Sequence, residues 1–401
     1  MKKLMKLTTL SLAATAALYA GGYKIPETST NGVALSAANV AHNHSADAAY
    51  YNPANMVFME DKNALEADLI YIGLEPVNYK GSGAQAGVDI DAKSESFVIP
   101  SLNYVSKKLG NARVGLSIVV PGGLSKRWND SPAVDKAKEF TLEVVEINPT
   151  AAFKVSDEVA VAVGFRVVYS SGIVKSESTA SRDMTGDSVD MGYNLALAYK
   201  PTKALEFGVT YRSNIDLHEE GNAKLYIGDA KVYDGGSNVT IPLPAALNVA
   251  AAYTFESDTT VEFVYEKTYW SAYSSLNFDY VSPISPILVP SFDDPIAKDW
   301  KDSEAYRLGI TQELEKMTLM GGIVFDNTPI PEERVSFELP DSSSFSLSMG
   351  ARYDVSKSLN IGLSGLYSMR NNREVNNENG VEGTFSNANV LIVSAGLGYK
   401  F

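Results

Sequence analysis

Apolar and polar positions alternate along the second half of the chain with little interruption. From Ser358 to Arg370 one set of positions carries Leu359, Ile361, Leu363, Gly365, Tyr367 and Met369. The interleaved set carries Asn360, Gly362, Ser364, Leu366, Ser368 and Arg370. Phe345, Leu347, Met349, Ala351 and Tyr353 share one face of the segment before it, and Met191, Tyr193, Leu195, Leu197 and Tyr199 one face of an earlier segment. A period of two means β-strands with one apolar and one polar face. A soluble sandwich also has a wet face, but its strands run to about five or six residues. The segments here run to roughly 10–14, the length of a tilted membrane-spanning strand.

The connections separate the two cases further. Tight turns fall at Lys107–Asn111, Val155–Glu158, Pro201–Ala204, Phe255–Asp258, Leu314–Met317 and Val355–Ser358. Between them lie polar stretches near 81–95, 128–138, 173–188, 217–243, 271–303, 327–343 and 371–387, which read as long loops. Six short turns interleaved with seven long loops predict fourteen strands, and such segregation of loop length is what an outer-membrane barrel shows. The fold class expected is therefore all-β, a transmembrane antiparallel β-barrel of fourteen strands over residues 61–401. No Gly/Ser or Pro-rich linker divides that span. Its last segment, ANVLIVSAGLGYKF, ends in Phe401, an aromatic ring suited to the membrane interface. This ending resembles the terminal signal read by the barrel assembly machinery of Gram-negative bacteria, which with the lipid of the outer membrane is an expected partner.

Residues 1–20, MKKLMKLTTLSLAATAALYA, have lysines at 2, 3 and 6, an uncharged run and small residues near Ala20. That is the pattern of a secretory signal peptide, too short for a membrane anchor. The chain has 34 Lys and Arg against 48 Asp and Glu, a balance of −14, and loss of the three leader lysines takes it to −17. So acidic a protein is not expected to bind nucleic acid, which needs clustered basic residues. Cysteine is absent, so no disulfide scaffold supports the fold.

A barrel of fourteen strands is too wide for wall side chains alone to fill. Residues 21–60, rich in Ala, Gly, Ser and Asn, are the material available to occupy the lumen as a hatch; a disordered tail is the alternative, disfavoured by Val33, Leu35, Val40, Tyr50 and Tyr51. In order along the chain, GGYKIPETSTNGVALSAANVA, the triplet in YYNPANM, VVPGGLS, FTLEVVEINPTAAFKVSDEVAVAVGFRVVYSSG, DSEAYRLGI and GGIVFDNTPIPEERVSFELPDSSSFSLSMGARYD resemble the FadL/TodX family of outer-membrane transporters of hydrophobic compounds. The resemblance implies a lumen closed by an N-terminal hatch, entry from the extracellular loops and lateral exit through the wall. The family's hatch triplet falls on Asn52, Pro53 and Ala54, and its kinked third strand on Pro121, Gly122 and Gly123. Independently, proline cannot donate to a ladder and glycine weakens a strand, so Pro121–Gly123 reads either as a gap in the wall or as the outer end of strand three.

Arg212, Arg307 and Arg352 are candidates to pair a ligand carboxylate, or else to brace the hatch. Phe278, Tyr280, Ile287, Leu288 and Phe292 make the 271–303 loop the candidate for first capture of ligand, or they pack against their neighbours. No catalytic site is expected: GxSxG and HExxH are absent. No metal and no cofactor is expected either, because His42 and His44 stand two apart with no third ligand in reach by spacing, and His218 is remote. The function expected is passive uptake of a hydrophobic molecule, a fatty acid or aromatic hydrocarbon, by a monomer. The alternative is a general porin for small polar solutes, which needs an open lumen.

Overall fold

In hydrocarbon an unpaired backbone N–H or C=O costs several kcal/mol, so strands cross a bilayer only in a sheet without edges. The computed structural model, which describes residues 21–401, meets that demand with fourteen antiparallel strands; the expected signal peptide, residues 1–20, lies outside the described residues. The strands are β1 (Ala64–Leu74), β2 (Glu95–Val105), β3 (Ala112–Arg127), β4 (Glu139–Lys154), β5 (Val159–Lys175) and β6 (Ala180–Tyr199). Then come β7 (Leu205–Arg212, resumed at Ile215–Ile227), β8 (Ala230–Leu243, resumed at Ala246–Thr254) and β9 (Thr259–Thr268). The last five are β10 (Ser303–Glu313), β11 (Met317–Asp326), β12 (Ser344–Asp354), β13 (Leu359–Arg370) and β14 (Val390–Lys400). Each strand pairs with the next, and β1 pairs with β14 from Ala64↔Lys400 to Leu74↔Val390. Asn63 and Phe401 exchange two backbone hydrogen bonds, of 2.9 and 3.0 Å, so the terminal residue finishes the seam.

The predicted alternation sets which face meets lipid. On β12 and β13 the outward residues include Met349, 74 % exposed, and Leu363, 62 % exposed, while Ser346, Ser364 and Ser368 on the other face are buried. The tight turns stand where the periodicity placed them. Two of the long loops do not: 173–188 and 217–243 are mostly strand, with only 176–179 between β5 and β6 and Gly228-Asp229 between β7 and β8 left as connections. Above the bilayer a strand can carry polar residues on both faces while its ladder continues, so loss of alternation there marks the membrane boundary, not the strand end. β6, with 20 residues, rises roughly 65 Å at about 3.3 Å per residue, well beyond a hydrocarbon layer of about 30 Å.

The remaining outer connections cover the mouth. Asn78–Gly81, Asp89–Asp91, Arg373–Asn377 and Val381–Ser386 form a separate four-stranded sheet from two different loops. Beneath it and inside the wall, residues 21–59 are almost entirely buried, in short helical pieces at Thr30–Ala34, Ala48–Tyr51 and Pro53–Phe58.

If the exposed face of β13 is lipid-facing, Leu363→Arg should destabilise the barrel by about 2–4 kcal/mol, the cost of a basic residue near the midplane. Val355→Arg, in a turn, should cost about 1 kcal/mol or less. Reversible unfolding in lipid vesicles, followed by tryptophan fluorescence, measures both.

Candidate functional site

The N-terminal segment is held to the wall by side chains reaching in both directions. Glu262, on β9, accepts hydrogen bonds from three successive backbone amides, Val40 at 2.7 Å, Ala41 at 2.7 Å and His42 at 3.1 Å. Thr30 gives both its amide and its hydroxyl to Asp68 on β1, at 3.1 and 2.6 Å. The wall comes close enough for this because glycine stands at the contacts. A Cβ on Gly322 would lie 2.4 Å from the Leu35 carbonyl carbon, and one on Gly208 2.6 Å from the Val40 oxygen.

Asn52, Pro53 and Ala54 form the turn that stabilises this segment from within. The Asn52 amide nitrogen donates to the Val40 carbonyl at 2.8 Å and to the Leu197 carbonyl of β6 at 3.1 Å, while its oxygen caps the Ala54 N–H at 3.1 Å. Pro53 occupies the first position of the following helical turn, where its missing N–H costs nothing. Asparagine is the residue that can supply acceptor and donors from one side chain at such a cap.

Pro121, Gly122 and Gly123 lie inside β3, not in the loop beyond it. β2 pairs with β3 only from Leu102↔Ile118 to Val105↔Gly115. Above that point residues 95–101 of β2 have no partner on β3, until the Lys93 amide reaches the Arg127 carbonyl at 2.9 Å. On its other side β3 slips register against β4 between Val119 and Gly122. The N-terminal segment supplies part of the missing ladder: the Ile25 amide donates to the Pro121 carbonyl at 2.8 Å and the Gly123 amide to the Tyr23 carbonyl at 2.8 Å. The inner surface beside this break is apolar. Ile25, Val33, Ile70, Ile72, Phe97, Ile99 and Val120 pack there in one buried cluster.

The three candidate arginines all point into the lumen and all are paired. Arg212 and Arg166 clasp Glu146, the latter at 2.9 Å, and the Arg212 guanidinium lies 4.5 Å from the ring centre of Tyr50. Arg307 binds Glu266 at 3.3 Å, Glu27 at 3.5 Å and the Ser36 carbonyl at 2.9 Å. Arg352 binds Glu66 and the Asn31 side chain and lies 3.9 Å from Asp68. Each thus joins wall carboxylates to the N-terminal segment. Burial pushes the Glu27 carboxyl up to about 6, against the opposing pull of Arg307.

Above the segment the lumen changes character. Leu124, Phe140, Leu142, Val168, Leu217, Leu225 and Leu243 face inward in one large apolar cluster with Tyr23, Trp270 and Trp300. At its outer edge lies a cavity of about 600 Å³, lined by Phe140, Leu276, Phe292 and Ile296 and, in greater number, by polar residues such as Arg182, Lys298, Arg334, Glu338 and Glu378. Within the 271–303 loop, Phe278, Leu288 and Phe292 are buried, Tyr280 is half-buried and donates to the Phe292 carbonyl at 3.1 Å, and Ile287 is exposed. The loop therefore packs inward, with Phe292 on the cavity and Phe278 beside it. Arg182 was not legible as a site residue. It is buried, its guanidinium lies 4.6 Å from the Phe278 ring centre and 5.6 Å from that of Phe292, and its Nε and Nη1 find no hydrogen-bond acceptor among the described residues. The only sequence signal was an isolated basic residue in a stretch that read as loop.

Spacing alone offered His42 and His44 no third metal ligand; folding brings Glu206 of β7 beside them.

The family described as outer membrane protein transport protein (OMPP1/FadL/TodX) matches residues 10–401 of the chain. A long-chain fatty acid transport protein of Salmonella typhi is 24 % identical over 352 residues, covering 78 % of this chain and 79 % of its own. Among solved structures, a Pseudomonas aeruginosa FadL homologue superposes with a TM-score of 0.84 at 17 % identity, over 94 % of this chain and 99 % of its own. The Ralstonia pickettii toluene transporter TbuX superposes with a TM-score of 0.72 at 17 % identity, over 93 % and 98 % respectively. With the family match spanning nearly its whole length, and a closed barrel of fourteen strands to carry it, this chain belongs to the OMPP1/FadL/TodX family of outer membrane transport proteins and is a multi-pass β-barrel of the Gram-negative outer membrane.

Proposed function

We propose that the protein carries hydrophobic molecules inward across the outer membrane by passive diffusion, with residues 21–60 as a hatch that closes the axial route and the break between β2 and β3 as the exit. The observation that carries this reading is the interrupted ladder at Pro121–Gly123, bordered by an apolar inner surface. A wall that must seal against hydrocarbon has no reason to forgo seven positions of pairing. A side door for apolar cargo does. Ligand leaves water at the outer mouth, enters the cavity above the hatch, displaces the Tyr23–Ile25 strand-like contact with β3 and passes into the bilayer. The drive is transfer of apolar surface from water, roughly 0.8 kcal/mol per methylene. The barrel works as a monomer, and its C-terminal strand ending at Phe401 is the part offered to the assembly machinery.

The capture site is the 600 Å³ cavity, within the range of about 300–1,000 Å³ that small-molecule sites occupy. Arg182 is the cation offered to a ligand carboxylate, since Arg212, Arg307 and Arg352 brace the hatch and, on the cavity itself, Lys298 and Arg334 are paired with Glu338 and Asp299. A long-chain fatty acid fits this arrangement better than a neutral hydrocarbon. Both classes occur among the relatives, as the names of the Salmonella and Ralstonia proteins state.

Deleting residues 24–54 should convert a nearly silent protein into a steadily conducting one in planar bilayers. Steady conductance in the intact protein would indicate a porin instead. Arg182→Leu should weaken binding of a fatty acid by roughly tenfold or more, the worth of one charge-assisted hydrogen bond, and leave toluene binding within about twofold. Fluorescent fatty-acid displacement in detergent measures the first and equilibrium partitioning of labelled toluene the second.

A further inference from the structure

We propose that His42, His44 and Glu206 form a site for one divalent transition-metal ion, of the zinc or nickel class, at the inner mouth of the barrel. The hatch and the wall each contribute to it. His42 Nδ1 lies 2.8 Å and His44 Nε2 3.7 Å from the same oxygen, Glu206 Oε1, and the three donor atoms lie within 4.8 Å of one another. Ligand atoms around a tetrahedral ion with bonds of about 2.0–2.1 Å stand roughly 3.3 Å apart, so each histidine nitrogen is within about 0.5 Å of that spacing from the carboxylate oxygen.

Two features hold the donors in place without a metal. The His42 backbone amide is fixed to Glu262, which turns the chain so that two histidines two residues apart present their rings together, 4.6 Å between centres and nearly perpendicular. Lys200 pairs with the other oxygen of the carboxylate, Oε2, at 2.5 Å, leaving Oε1 to the histidines. Lys200 is a cation that a bound ion would oppose, with Lys62 and Lys400 on the adjoining cavity; the Lys200 ammonium also lies 4.9 Å from the centre of the Phe58 ring, a second resting place if it swings off Glu206.

Access and the remaining coordination come from the periplasmic side. The His44 side chain is 46 % exposed and lines a cavity of about 210 Å³ with Phe58, Met59, Glu60, Lys62, Ala64 and Lys400, room for the waters that complete the shell. Two imidazoles and one carboxylate with open positions select a borderline dication over calcium or magnesium. The ion would tie residues 42–44 to β7, whether or not the N-terminal segment gates transport.

The full-length protein, without an affinity tag, should bind one Zn²⁺ per chain by calorimetry, and Co²⁺ should give visible absorption of a nitrogen- and oxygen-ligated site. His42→Ala and His44→Ala should each weaken Zn²⁺ binding roughly tenfold or more, as should Glu206→Gln, which keeps the shape and removes the charge. His218→Ala, at the remaining histidine, should leave it unchanged. Heat-modifiable migration in gels confirms that each variant is a folded barrel. Absence of stoichiometric binding, or binding retained when His42 and His44 are both replaced, would overturn the assignment.

Discussion

A bilayer offers no hydrogen bonds, and every other feature of this protein follows from that constraint. It forces the sheet to close, so β1 must find β14 and the last residue must complete the seam at Asn63. It also makes the one stretch where β2 and β3 part company informative. There the chain places Pro121, which has no N–H to give, followed by two glycines that keep their pairing with β4, and brings its own N-terminal backbone against them. Two hydrogen bonds, one from the Ile25 amide to Pro121 and one from the Gly123 amide to Tyr23, are a partial substitute for a ladder.

The interior is organised in two levels. At the height of the N-terminal segment the lumen is lined by carboxylates and arginines in compensating sets around Glu66, Glu146 and Glu266. Removing one member of such a buried set leaves a charge stranded, at a cost of about 3–5 kcal/mol, so the sets specify where the segment sits. Above them the inward residues turn to leucine, valine, phenylalanine and tryptophan. A polar floor beneath a greasy upper chamber is the arrangement on which the proposed sideways exit of an apolar cargo rests.

Much of the architecture was legible because the two faces of a membrane strand meet different solvents. Leu359 to Met369 states its outward face residue by residue, and Val155–Glu158 or Val355–Ser358 states its turn. The outer extents of β5 to β8 were not legible, since above the membrane both faces are wet and the period that identifies a strand disappears. Pro121 could be singled out by backbone chemistry, a proline where a ladder should run, and Asn52 by the family resemblance alone. Contacts across the lumen could not. Glu262 meets Val40 more than two hundred residues away in sequence, Arg182 reads as one more loop charge, and nothing in the spacing of His42 and His44 announces Glu206. Such pairs are set by which strands the closed barrel brings opposite each other, information that a single sequence does not carry.

Since the chain contains no cysteine, a single engineered pair can fasten the two edges of the break. Ile99→Cys on β2 and Val120→Cys on β3 stand in the same buried cluster beside it, and a short bismaleimide would join them. Uptake of radiolabelled fatty acid by cells carrying this double variant should fall to background after cross-linking and stay near the unmodified level in either single variant treated alike. Uptake undiminished across the fastened wall would mean that cargo takes another route, and that the parting of β2 from β3 is not the exit.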